Sequence, residues 1–252
     1  MTEKVLRGTT ALVTGATGRI GREIALSLAA EGVNIIAHYL RSRKETMVLC
    51  REIEKRGATA WPLDSDFMNA RETTSLIHKA ARLSGTIDIL INSASLFTES
   101  TIPNLTSTDL AANLQVNAWV PFLLGREFKR IAGKGSIVNL LDTRIAGGDR
   151  SHAGYIVSKH ALMALTKMMA IEFAPRISVN AVAPGLILPA SGSNRRSISR
   201  MTRNIPLRQY GEPDDVARAV IFLIKSGFIT GQVVWVDGGR HLREYKQGYD
   251  IG

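Results

Sequence analysis

Short apolar runs alternate along most of the chain with longer segments that are apolar on one side only. Residues 11–13 (ALV) are too few for a helix and are stopped by Thr14 and Gly15, so they predict a strand. Ile20, Ile24, Ala25 and Leu28 follow at helical spacing and predict an amphipathic helix. The alternation then repeats. A β-branched run at 33–37 (VNIIA) predicts a second strand, followed by a polar helix to Arg56, a strand at 58–63 (ATAWPL), a helix at 68–83 and a strand at 87–91. A long helix starts near Ser107, with Ser107 as its cap and Asp109 in its first turn; Pro121 within it predicts a kink that frees a carbonyl. Strands at 136–141 (SIVNLL), 178–182 and 232–236, with helices to Ala174 and over 213–225, complete the pattern. Such alternation predicts one α/β domain over 1–252, a doubly wound Rossmann-type parallel sheet of about seven strands with helices on both faces.

The strand–turn–helix at 9–30 (TTALVTGATGRIGREIALSLAA) carries the first candidate chemistry. A strand feeding a helix through glycines leaves unpaired N–H groups where an anion can sit. The glycines stand at 15, 18 and 21, not at the G-x-G-x-x-G spacing, so this turn alone leaves phosphate binding and plain tight-turn geometry open. The end of the second strand carries His38, Tyr39, Leu40, Arg41, Ser42, Arg43 and Lys44. In a dinucleotide fold that point faces the adenosine ribose, where an acidic residue would accept from the 2′-hydroxyl of NAD. Here there is no acid and three cations, which suit a 2′-phosphate and favour NADPH over NADH. An ordinary basic helix start is disfavoured because cations there oppose the helix dipole.

At 252 residues the chain suits one large domain. No apolar run approaches the roughly 18 residues of a membrane span, and MTEKVLRG lacks the apolar segment of a signal peptide, so a cytoplasmic protein without a membrane partner is expected. The single cysteine, Cys50, excludes an intrachain disulfide framework and a cysteine-rich metal site, and the histidines lack metal-ligand spacing, so no metal is assigned. The net charge of +10 raises a nucleic-acid partner, but the cations are scattered and no nucleic-acid-binding signature accompanies them, so none is expected. The densest basic run, 193–208, holds Arg195, Arg196, Arg200, Arg203 and Arg208; it reads as a solvated segment or as an attractor of an anionic ligand. With Ser191, Gly192 and Ser193 before it, the stretch at about 187–208 reads as a mobile lid.

Tyr155 and Lys159 lie four apart on a helix and share a face. An ammonium beside a phenol favours phenolate and moves it toward useful acid–base ground. Taken with the turn TGATGRIG, the strand end NSAS, Asn117 and NAVAPG, the sequence YIVSK makes the chain resemble the short-chain dehydrogenase/reductase family over roughly residues 8–240. TGATGRIG looks like that family's T-G-x-x-x-G-x-G, NSAS like N-N-A-G, YIVSK like Y-x-x-x-K and NAVAPG like N-x-x-x-P-G. Two departures are informative: Arg19 stands where the turn usually has Gly, and Asp142 stands where the catalytic Ser is usual, 13 residues before the Tyr. Both occur together in the pteridine reductase branch. HYLRS, SDF, NSASLF and the terminal VDGGRHLR also resemble that branch and its bacterial dihydromonapterin and dihydrofolate reductases.

The resemblance implies roles. Gly15, Arg19, Ile20 and Gly21 would hold the pyrophosphate of NADPH, with Arg19 reaching the substrate as well. His38, Arg41 and Ser42 would face the 2′-phosphate and Asp66 the adenine. Asn92, Ala94, Ser95, Pro184 and Gly185 would line the cofactor. Phe97 would stack a pterin against the nicotinamide, with Ser95 and Leu186 beside it. Asp142 and Tyr155 would relay a proton, Lys159 would hold the ribose and tune Tyr155, and Asn117 would order its helix and a water chain. A homotetramer is also implied.

An ionised carboxylate would repel a developing alkoxide but suits a substrate with N–H donors, so a dihydropterin or dihydrofolate C=N bond is expected. Thr143 keeps a hydroxyl-based alternative open, a carbonyl reductase acting on 3-oxoacyl thioesters or sugars. A silent NADPH-binding protein is a third possibility. His152 reads as a surface loop histidine or a relay.

Overall fold

The computed structural model describes residues 4–147, 149–187, 199 and 201–247. Seven strands form one sheet: β1 (Thr10–Val13), β2 (Asn34–Tyr39), β3 (Ala60–Asp64), β4 (Ile89–Asn92), β5 (Gly135–Leu140), β6 (Ile177–Pro184) and β7 (Val233–Val236). Their order is β3-β2-β1-β4-β5-β6-β7, every pairing parallel. The alternation of apolar side chains sorts the two faces. Ala11, Val13, Ile35 and Ile91 pack on one core, against α1 (Arg19–Ala30), α2 (Arg43–Glu54) and α7 (Pro213–Lys225). Leu12, Ile36 and Leu90 point to the other, against α3 (Ala70–Ser84), α5 (Val120–Ala132) and α6 (Ala153–Phe173). Strands covered on both sides read as continuous apolar runs, which is why they were legible. The chain winds outward from β1 to β3 and returns to β4 on the other side. That reversal opens a crevice at the carboxyl ends of β1 and β4, the place where such folds bind ligands.

Several boundaries differ from the sequence expectation. β2 runs two residues past Ala37, so His38 and Tyr39 are strand residues. β3 keeps Pro62 because it is the sheet edge, where a missing N–H costs no ladder bond. The long helix expected from Ser107 is three pieces: α4 (Ser107–Leu114), a π-helical turn (Gln115–Trp119) and α5, with Pro121 in the first turn of the last. Its cap is Thr106, whose side chain accepts from the Asp109 amide at 3.1 Å, one residue earlier than expected. A final helix, α8 (Arg240–Gln247), had no apolar periodicity to announce it. Of the expected lid, residues 188–198 and 200, including Arg195, Arg196 and Arg200, lie outside the described residues. No helix among the described residues is long and apolar enough to cross a membrane.

Candidate active site

The glycine turn is built by close approach. Gly15 has φ +61°, and a Cβ on it would lie 2.8 Å from Ala94 Cα; a Cβ on Gly21 would lie 2.4 Å from the Gly15 carbonyl oxygen. Thr14 ties the ends of β1 and β4 together, its hydroxyl donating to the Ile91 carbonyl (3.3 Å) and accepting from the Ser93 and Ala94 amides (3.0 Å each). Gly18 precedes α1 without a side-chain cap, and the first turn of α1 holds no acid, so its amides face the crevice with a positive end of the helix dipole behind them. A cleft of about 560 Å³ opens there, and Gly15, Arg19, Ile20 and Gly21 line one end of it. Ser95, Phe97, Asp142, Tyr155, Lys159 and the segment Pro184, Gly185 and Leu186 line the rest.

Asp142 lies two residues beyond β5 and Tyr155 in the first turn of α6, and the phenol hydroxyl donates to Asp142 Oδ2 at 2.9 Å. The other carboxylate oxygen accepts from the Arg144 amide at 2.8 Å. Thr143 points away: it is buried and its hydroxyl donates to Asp237 Oδ2 at 2.6 Å. The carboxylate, not the neighbouring hydroxyl, therefore meets the phenol. Lys159 is buried, with Nζ donating to the Leu140 carbonyl at 2.7 Å and lying 5.6 Å from the Tyr155 ring centre. Burial lowers its pKa to about 8, against the pull of Asp142. The phenol corrects the expectation of a value drawn down by Lys159. Burial, then the charge and hydrogen bond of Asp142, push Tyr155 well above its ordinary range, opposed only in part by Arg144 and Ser95. The phenol stands as a proton donor.

Asn117, in the π-helical turn, is fully buried and works through other residues. Its Oδ1 accepts from the Leu96 amide (2.8 Å) and the Ser95 hydroxyl (3.1 Å), while Nδ2 donates to the Leu96 carbonyl (2.8 Å) and Ser158 Oγ (2.9 Å). It fixes the loop that carries Ser95 and Phe97. Asn92 does not line the cleft; its Nδ2 donates to Asn139 on the paired strand at 2.8 Å, which braces the sheet.

His38 also departs from expectation. It is only 2% exposed, its ring bonded to the Gly15 amide and stacked on Phe67, so it does not present a cation to a 2′-phosphate. Burial lowers its pKa to about 4, offset in part by the Ser65 carbonyl and Asp64. Arg41 is exposed beside it, and Ser42 bonds Thr17 Oγ1 at 2.7 Å. Asp66 is half-buried, and its Oδ1 accepts from the Met68 amide at 2.9 Å.

Arg144, which lines the cleft, and Asp149, which holds it, were not assigned from sequence. Arg144 Nε lies 3.1 Å from Asp149 Oδ2, and its guanidinium sits over the Phe97 ring, 4.8 Å from its centre. The same Asp149 oxygen holds His152 Nδ1 at 2.9 Å, and His152 stacks on Phe97 with centroids 4.2 Å apart. Burial opposes the Asp149 charge, but bonds from Ser151 and His152 and the Arg144 charge hold its carboxyl below the usual range. Phe97, edge-on to Tyr155 at 4.7 Å, remains 49% exposed. The only signal for Arg144 in the sequence was its place just beyond a strand end. Asp149 carried none. No group of His, Cys, Asp and Glu among the described residues could hold a metal ion.

The profile of the family described as enoyl-(acyl carrier protein) reductase matches residues 15–241. The chain belongs to the short-chain dehydrogenase/reductase family. It is an oxidoreductase of that family. A 3-oxoacyl-[acyl-carrier-protein] reductase FabG of Staphylococcus aureus is 31% identical over 246 residues, 92% of this chain and 98% of that one. Among solved structures, FolM alternative dihydrofolate reductase 1 of Brucella canis, complexed with NADP, superposes with TM-score 0.88 at 30% identity, covering 94% of this chain and 96% of that one. A blue fluorescent protein from a metagenomic library, in complex with NADPH, gives TM-score 0.86 at 28% identity, covering 94% and 99%.

Proposed function

We propose that this reductase uses NADPH to reduce a C=N bond of a dihydropterin or dihydrofolate. The observation that carries the proposal is the Asp142 carboxylate bonded to Tyr155 at the cleft while Thr143 faces Asp237. The glycine cradle, whose Cβ positions would collide, and the uncapped α1 start fit a pyrophosphate, so Arg19, Ile20 and Gly21 would hold the cofactor. When bound, the nicotinamide supplies the hydride. Tyr155, kept protonated by burial and by Asp142, donates its proton to the ring nitrogen next to the carbon reduced. Asp142 accepts from the amino-pyrimidine edge and holds the phenol in line. An oxyanion developing on a ketone at the same point would meet the carboxylate's charge, which disfavours carbonyl substrates. The likeness to the Brucella dihydrofolate reductase supports the reading. The 3-oxoacyl reductase relatives support the alternative of a carbonyl reductase, for which the Ser95 hydroxyl beside Tyr155 would have to turn from Asn117 to donate.

The test follows NADPH oxidation by the purified protein with dihydrobiopterin, dihydromonapterin or dihydrofolate against an acetoacetyl thioester. Pterin or folate turnover is expected, with kcat lowered about 10²- to 10⁴-fold in Tyr155→Phe and Asp142→Asn. Turnover of the thioester alone would refute the pterin assignment.

A further inference from the structure

The end of β2 and the residue that precedes α2 grip the glycine turn at three successive residues. The Gly15 amide donates to His38 Nδ1 at 3.2 Å, the Ala16 amide donates to the His38 carbonyl at 3.0 Å, and Thr17 shares a 2.7 Å hydroxyl bond with Ser42. The second ring nitrogen of His38, Nε2, lies 3.1 Å from the Ser65 carbonyl. A carbonyl only accepts, so Nε2 carries the proton and Nδ1 offers its lone pair to Gly15. Phe67 stacks on the ring at 4.4 Å and 11°, fixing its plane.

What the ring holds matters to the rest of the turn. The Gly15 residue lies at φ +61°, its carbonyl accepts from the Gly18 amide at 3.0 Å, and the same oxygen sits where a side chain on Gly21 would intrude. A turned Gly15 peptide would therefore displace the start of α1. Ala94 packs directly against Gly15, its Cα 2.8 Å from where a Cβ would stand, so the turn has little room to shift.

We infer that His38 is a positioning residue for the cofactor: its neutral ring shapes the 15–21 turn for the pyrophosphate before the cofactor arrives, and it does not read the 2′-phosphate. This rests on the NADPH reading above. It predicts a dependence common to NADPH and NADH, because both carry the pyrophosphate. Two variants each keep one of the two ring bonds. His38→Asn places an acceptor where Nδ1 stood, and His38→Gln places a donor where Nε2 stood.

The experiment titrates NADPH and NADH separately into the full chain and its two variants, following reduced-nicotinamide fluorescence. His38→Gln should weaken both coenzymes by the same factor, about 10- to 100-fold, through an orphaned amide. His38→Asn should stay within about threefold of the parent. Loss of NADPH affinity alone would overturn the inference in favour of 2′-phosphate recognition. So would unchanged binding in both variants, or an Asn variant as weak as the Gln one. A nitrogen-detected spectrum of the unmutated protein at neutral pH checks the same idea without any variant. The Nε2–H tautomer is expected, and an Nδ1–H ring or an imidazolium would overturn it. Failure of the unmutated chain to bind either coenzyme would overturn the NADPH reading and this inference together, whereas the pterin assay can fail with this result intact.

Discussion

Lys159 keeps a buried ammonium at the wall of the cleft, and its cost is a testable property of a single residue. In the unfolded chain a lysine titrates near 10.5, while in the fold burial brings Lys159 to about 8. Below pH 8 both states hold the proton, and the fold carries the whole penalty. Between about 8 and 10.5 the unfolded state binds more protons, so stability rises with pH across that window. The shift corresponds to about 3 kcal/mol at one pKa unit per 1.4 kcal/mol. We predict that denaturant melts of the native protein and of Lys159→Met diverge in the native protein's favour by about that amount from pH 8 to 10.5. A gap that stays flat across the window would mean the ammonium is not desolvated. The same residue shows where sequence reasoning stopped. Tyr155 and Lys159 were identifiable from spacing and Asp142 through the family resemblance, but the direction of the Tyr155 shift was not, because burial and the Asp142 bond outweigh an ammonium that bonds Leu140 instead.

At the scale of elements, the strands were the most legible feature because the central ones are buried on both faces and bounded by glycine or polar residues. Helix interiors followed from their apolar stripes. The interruption between α4 and α5 was readable as a kink at Pro121, but its π-helical form was not, since Asn117 makes tertiary bonds that no local pattern encodes. Pro121 removes an amide from the ladder, and the chain widens into a π-helical turn that puts Asn117 against the loop after β4. The turn thus serves the cleft through that one side chain. Asn117→Ala would strip the half-buried Leu96 amide and carbonyl of their partner and cost about 2 kcal/mol, at the low end of 1–3 kcal/mol for each group. It should also release Ser95 and Phe97 and lower kcat about tenfold or more, at a temperature where the variant is still folded. Equal losses of stability with native kcat would assign Asn117 to folding alone.

At the scale of the molecule, the single doubly wound sheet followed from the order of elements, while the partners of the surface did not. α6 is apolar on nearly every side, the pattern of a helix covered all round. One of its faces is nevertheless open in the single chain: Val157, Ala164, Met168 and Ile171 recur at spacings of seven, four and three, with Met168 61% and Ile171 77% exposed. Trp119, at the start of α5, adds a half-exposed indole. Scattered apolar residues need no explanation, but a stripe along one helix marks an interaction surface. The tetramer implied by the family resemblance gives it an occupant, a second copy of this chain. We predict a particle larger than one chain by light scattering, and a smaller one for the double variant Met168→Asp, Ile171→Asp. Both positions face solvent in the isolated chain, so the aspartates should change its stability by less than about 0.5 kcal/mol if no partner covers them. A monomeric native protein, or a double variant of unchanged size, would leave α6 as plain surface. Because Tyr155 and Lys159 stand on the buried side of the same helix, a dissociated variant with reduced turnover would further show that assembly steadies the element on which the proton donor is mounted.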